Sequence, residues 1–277
     1  MFYWKEQKGS SILDSKKNGR QSEESCQKEA YMKKRYYVLD EIRGITLLSM
    51  ILYHTAWDMV YLFHKDWAWY ESTTGYVWQQ SICWTFILLS GFCWSFGKRK
   101  VRRGITVFGA GIVITAVTLL VMPQNRVIFG VLTLLGACML LMIPFHRIMK
   151  RVNSTAGLFA SLILFFLLRN VPGGYIGFEG WNLLAIPDEF YRNYVTAFFG
   201  FPQPAFFSTD YFPVFPWIFL FFAGYYLYGI AEKRNFFPYL MTERIKAAGW
   251  IGRHSLPIYM IHQPVIYGIL SISFTMF

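Results

Sequence analysis

Seven long apolar runs, at 44–63, 77–97, 104–122, 127–145, 156–168, 213–231 and 254–275, constrain this chain more than any other feature. A helix needs roughly 20 residues to cross about 30 Å of hydrocarbon, and most of the runs reach that length. The run at 156–168 has only thirteen residues before Arg169, so it spans only if Asn153–Thr155 or the residues after Arg169 help to fill the bilayer. Hydrophobic residues make up 55% of the 277 and are not broken into short amphipathic pieces, so water cannot be their main solvent. Helices satisfy their own backbone groups in lipid. The expected fold is therefore all-α: a polytopic integral membrane helix bundle of about seven transmembrane helices.

The formal charge of +11 would suit nucleic acid, but its placement argues for a bilayer instead. With the N-terminus inside, 23 of the 27 Lys and Arg residues fall on the cytoplasmic side, leaving only Lys65, Arg126, Arg169 and Arg192 outside. That asymmetry predicts N-terminus in, C-terminus out, a multi-pass protein of the cell membrane with lipid as its partner and no nucleic acid. Residues 1–34 are basic, rich in Glu, Ser and Gln and poor in hydrophobics, which predicts a disordered cytoplasmic tail ahead of a membrane domain at 35–277. No cleavage-site pattern occurs there, so the first helix reads as an uncleaved anchor. Cys26, Cys83, Cys93 and Cys138 have neither metal-ligand nor disulfide spacing, and no metal is expected.

Ionisable groups inside spans are expensive, so each is a functional hypothesis. In the first span, Arg43, Leu47, Met50, His54 and Asp58 fall on one helical stripe. His54 lies about 16 Å above Arg43, and Asp58, one turn further, is placed to orient its imidazole. In the last span, His262 lies about 12 Å in from the same side, near the depth of His54, beside Gln263 and between Pro257 and Pro264, which open the helix locally. His64 sits at the outer interface beside Lys65 and Asp66, where a solvated loop histidine is the simpler reading. His146 and His254 read as boundary residues. Ser90-Gly91-Phe92 suits close helix packing, with Ser90 free to donate to a neighbour. Asp210, at the mouth of the sixth span, suits either a substrate hydroxyl or amine or a helix N-terminus. The 44-residue connection 169–212, rich in aromatics, Gly and Pro, is expected to fold back on the helices and to be able to cap a cavity. The segment 232–253, with Ala231–Leu240 and Thr242–Trp250, is expected to form short surface helix with Arg244 and Lys246 toward headgroups.

Five stretches in order carry a resemblance: Leu39-Asp40-Glu41-Ile42-Arg43-Gly44 with Met50 and His54; Ser90-Gly91-Phe92; Asp210-Tyr211-Phe212-Pro213 with Pro216-Trp217; Gly252 to Tyr259; and His262-Gln263-Pro264. Over about residues 35–272 they resemble bacterial membrane proteins related to the catalytic domain of heparan-alpha-glucosaminide N-acetyltransferase. The Asp-x-x-Arg-Gly opening is also similar to the wider transmembrane acyltransferase superfamily. The resemblance implies acetyl-CoA as donor, a glycan or small-molecule acceptor outside, and an intramembrane histidine as base or transient acyl carrier. It sets that histidine near His64, with an amide where His54 stands, so both are candidates. His54 with Asp58, and His262 or Gln263 as oxyanion donor, would then form the catalytic set. Arg43 and the basic stretch 98–103 would hold the phosphate end of CoA, and Ser90, Asp210, Tyr211, Trp217 and Gln263 would be substrate-binding candidates. A transporter or lipid-handling protein, relaying protons through the same groups, and a sensor or assembly partner are the competing readings, and association into a homo-oligomer is left open.

Overall fold

The computed structural model describes residues 35–275; the expected basic tail at 1–34, with Cys26, lies outside the described residues. Each of the seven apolar runs falls on one helix: α1 (Tyr37–Tyr61), α2 (Thr73–Trp94), α3 (Lys100–Val121), α4 (Val131–Met149), α5 (Ser154–Leu167), α7 (Val214–Lys233) and α10 (Ser255–Thr275). Between them lie the short helices α6 (Tyr194–Phe199), α8 (Phe237–Leu240) and α9 (Lys246–Arg253), and a hairpin of β1 (Tyr175–Phe178) and β2 (Trp181–Ala185). Five segments are long and apolar enough to cross a membrane by length and composition: Lys100–Val121, Val131–Met149, Ser154–Gly173, Val214–Lys233 and Ser255–Phe274. The molecule is thus a multi-pass membrane protein. The helices α1 and α2 are as long, at 25 and 22 residues. They fall short on composition: α1 carries Asp40, Glu41, Arg43, His54 and Asp58, and α2 carries Gln79, Gln80 and Ser81.

The short fifth run gains its length from what flanks it. Asn153 caps α5 by accepting from the backbone of Thr155 (2.9 Å) and Ala156 (3.3 Å), and a helical turn at Val171–Gly173 extends it. The core forms where α2 and α5 pack on α7 and α3 packs on α4, around the buried Leu134, Met142, Phe165, Leu220 and Phe221. Gly91 lies against the Phe221 carbonyl and Gly224 against the Leu88 carbonyl, so the two helices cross at backbone contact. Ser90-Gly91-Phe92 is, in this respect, a packing element.

A second close contact joins α1 to α9. A Cβ at Gly44 would overlap the Ala248 carbonyl, and one at Gly252 would overlap the Asp40 carbonyl. Next to it, the buried carboxylate of Glu41 accepts from the backbone N–H groups of Arg244 (2.6 Å) and Ile245 (2.9 Å), capping α9. The expected surface segment is therefore divided: α7 continues to Lys233, and α9 buries Ala248, Gly249 and Gly252 on α1 while exposing Lys246 and Arg253.

The long connection is folded and tied to helix ends. The antiparallel hairpin places Glu179 on the Tyr76 hydroxyl of α2. Arg169 donates to Gln80 Oε1 (2.8 Å), pairs with Glu179 (3.6 Å) and lies 4.4 Å from the Trp217 ring.

Candidate active site

The stripe read on α1 faces inward: Leu47, Met50 and Asp58 are buried, and His54 is half-buried against α10. Its ring lies 4.9 Å, centroid to centroid, from that of His262. The two histidines of separate spans therefore meet. His262 Nδ1 stands 2.5 Å from the Tyr259 carbonyl oxygen. A carbonyl only accepts, so Nδ1 carries a proton, and in the neutral ring Nε2 keeps its lone pair. That Nε2 is buried and finds no protein partner among the described residues.

One turn along, Asp58 is fully buried and accepts at Oδ1 from Gln263 Nε2 (2.5 Å). The contact expected between Asp58 and His54 is therefore replaced by one across the interface. It engages one N–H of the Gln263 amide, and the second N–H of that nitrogen remains a donor. Asp58 Oδ2 and Gln263 Oε1 are likewise buried and find no partner among the described residues. Three unpartnered polar atoms, all at the α1–α10 contact, mark a place where a polar ligand would find acceptors.

Asp210 approaches the same region from the segment before α7. Its carboxylate is within electrostatic reach of Tyr259, Cys83 and Tyr53. It accepts from Val131 N–H (3.3 Å), so it caps α4 rather than the helix that follows it in sequence. Burial pushes its carboxyl up to about 6, against the opposing pull of that N–H.

The remaining candidates disperse. His64 is exposed beyond the end of α1, with a left-handed backbone (φ 53°). Trp217 is 3% exposed, packed among Phe165, Phe212 and Arg169, and so is a core residue. Tyr211 donates to the Ala197 carbonyl (2.5 Å), pinning α6. Ser90 is buried, with no partner for its hydroxyl among the described residues. Arg43 bridges Asp40 (3.2 Å) and Cys93 Sγ (3.4 Å). Beside it, Arg99, Arg102 and Arg103 with Thr106, Met139 and Leu256 line a cavity of 350 Å³ between α3 and α10. Arg103 Nη1 also donates to the Cys93 carbonyl (3.5 Å), so of the three arginines it is partly engaged by the fold.

Glu41 and Cys83 carried no functional reading in the sequence. Glu41 could have been found as an acidic residue next to Arg43 on a face that must be buried; Cys83 looks like any packing residue. Among the described residues no group of three or more His, Cys, Asp or Glu could hold a metal ion.

No curated protein matches the chain, and no solved structure does. A family model described as heparan-alpha-glucosaminide N-acetyltransferase, catalytic, matches residues 35–264, a span that takes in Glu41, His54, Asp58, Asp210, His262 and Gln263. With most of its length covered by that match, the chain belongs to the heparan-alpha-glucosaminide N-acetyltransferase catalytic family.

Proposed function

We propose that this protein is an acyltransferase of the cell membrane that moves an acetyl group from cytosolic acetyl-CoA to the hydroxyl or amine of a glycan or small-molecule acceptor at the outer side. The observation that carries this reading is the facing pair His54 and His262, drawn from two different helices of a membrane protein whose family is an acetyltransferase family. The reading takes α1 and α2 as spans too, for seven in all, with the N-terminus inside by the charge asymmetry.

On this reading the donor's phosphates rest on Arg99, Arg102 and Arg103 at the cytoplasmic end, and the thioester reaches in toward α10. The acceptor's oxygen or nitrogen attacks the thioester carbonyl while its proton passes to a ring nitrogen of the histidine pair. The C–S bond then breaks, and the pair returns the proton to the departing thiolate. His262 Nε2 has the lone pair for that task, so His54 shares the base role with it or carries the acyl group in transit. Asp58 and Gln263 hold the two helices in register, and Asp210 faces the acceptor from the outer side.

The test is release of free CoA by purified protein in nanodiscs with acetyl-CoA and a panel of glycan and amine acceptors. Wild type is compared with His54→Ala, His262→Ala and His64→Ala. Loss of turnover in the first two, with His64→Ala near wild type, is expected. Loss only in His64→Ala would move the chemistry to the outer interface, and a folded protein that neither binds acetyl-CoA nor releases CoA would refute the acyl-transfer reading.

A further inference from the structure

We infer that the groove at the Val121 end of α3 holds an anionic phospholipid, with its phosphate on Arg126 and its acyl chain along α3. The groove has a volume of 510 Å³ and is lined by Thr115, Leu119, Arg126, Ile128 and Tyr194. Leu119 and Ile128 line it with aliphatic side chains, the Thr115 hydroxyl is turned onto the Gly111 carbonyl (3.2 Å), and the volume falls in the range of small-molecule sites. Protein covers little of this helix: only Gly104 and Gly111 are buried, while Leu119, Leu120 and Val121 are exposed. The groove therefore opens onto the bilayer rather than onto a neighbouring helix.

Arg126 is aimed by the backbone. Its Nε donates to the Phe207 carbonyl (3.3 Å), its Nη1 to the Pro123 carbonyl (3.4 Å), and its guanidinium lies 5.5 Å from the Phe207 ring. None of these contacts balances its charge. The ion pairs among the described residues engage Arg35, Arg43 and Arg169 instead. A planar cation fixed at a bilayer boundary, at the mouth of an apolar groove, matches a lipid phosphate by both charge and shape. A zwitterionic lipid brings its own cation to the site, and free phosphate brings no chain, so the anionic phospholipid fits both halves.

Such a lipid would act on the candidate active site through the backbone. Thr209 N and Oγ1 donate to the Arg126 carbonyl (3.1 and 3.0 Å), and Ile128 N donates to Ser208 Oγ (2.9 Å). Phe212 N donates to the Phe129 carbonyl (2.9 Å), and Val131 N to Asp210 Oδ2 (3.3 Å). Residues 126–131 and 208–212 are thus laced together, and a lipid that holds Arg126 stiffens the strap carrying Asp210.

The experiment places the full chain in nanodiscs of phosphatidylcholine with and without phosphatidylglycerol. Native mass spectrometry reads the retained lipid, and hydrogen exchange reads 125–131 and 208–212. Wild type is expected to retain phosphatidylglycerol preferentially; retention falls about fivefold in Arg126→Gln and is largely kept in Arg126→Lys. Exchange in both segments slows with phosphatidylglycerol in wild type. Equal retention of the two lipids by wild type, or wild-type retention by a folded Arg126→Gln, would overturn the inference. If Arg126→Gln does not fold, the wild-type exchange comparison decides alone. The same slowing produced by inorganic phosphate in phosphatidylcholine discs would also overturn it, by identifying a plain anion site.

Discussion

Glu41 offers a sharp test of how the fold supports the candidate site, because it links α1 to a helix some two hundred residues later through one carboxylate oxygen. Oε1 accepts from both Arg244 N–H (2.6 Å) and Ile245 N–H (2.9 Å), and the residue is 4% exposed. Hydrogen bonds to a charged group are worth about 1.5–3 kcal/mol each, so Glu41→Ala removes about 3–5 kcal/mol and leaves two donors without their acceptor. Glu41→Gln keeps an acceptor oxygen in place but removes its charge, and neutral bonds are roughly half as strong. The expected loss there is about 1.5–2.5 kcal/mol. For a chain of this size each kcal/mol moves the melting point by roughly 2–4 °C, giving a fall of about 6–20 °C for Ala and about 3–10 °C for Gln. Fluorescence-detected size exclusion after heating, in detergent and in nanodiscs, measures both. Because only His254 separates α9 from α10, hydrogen exchange at 244–252 and CoA turnover are expected to change in the same order. Equal shifts for Ala and Gln, or a shift under about 3 °C for Ala, would refute the claim that this carboxylate holds α9 to α1.

Two further outcomes follow from charges at the site's two ends. Burial raises the Asp210 carboxyl to about 6, so between about pH 4 and 6 the unfolded chain loses this proton while the folded one keeps it. Stability contributed by the group is thus present at low pH and lost as pH rises through that window, and melting curves of Asp210→Asn should show a smaller loss there than wild type; parallel curves would show that Asp210 does not titrate in the fold. At the opposite end, the double variant Arg99→Gln with Arg102→Gln should raise KM for acetyl-CoA about tenfold while leaving kcat within about twofold, as for a lost uniform binding contact. An unchanged KM, or a KM without salt dependence in wild type, would remove these arginines from the donor site.

The helices were legible because hydrocarbon imposes a length, and the stripe of Leu47, Met50 and Asp58 was legible because the helix imposes an angle. The shared depth of His54 and His262 was legible for the same reason, each depth following from the rise per residue counted from one side, whereas the contact of their rings was not. What periodicity cannot carry is rotation of one helix against another. Spacing along α1 named His54 as the neighbour of Asp58, whereas the partner in the fold is Gln263, on a helix whose placement depends on Gly44, Ala248 and Gly252 touching through backbone. Asp210 likewise caps α4 rather than its own helix, and Trp217 turns into the core. These cases separate two roles within the stretches that carry the family resemblance. Asp40, Glu41, Arg43, Gly44 and Gly252 brace α1, α2 and α9 against one another, while the rings of His54 and His262 meet 4.9 Å apart at a tilt of 59°. A loss of turnover on changing a bracing residue therefore says nothing about chemistry unless the melting point is unmoved. The chemistry is located only by variants that keep the melting point and lose the rate, and on the proposed reading those are substitutions at the two histidines.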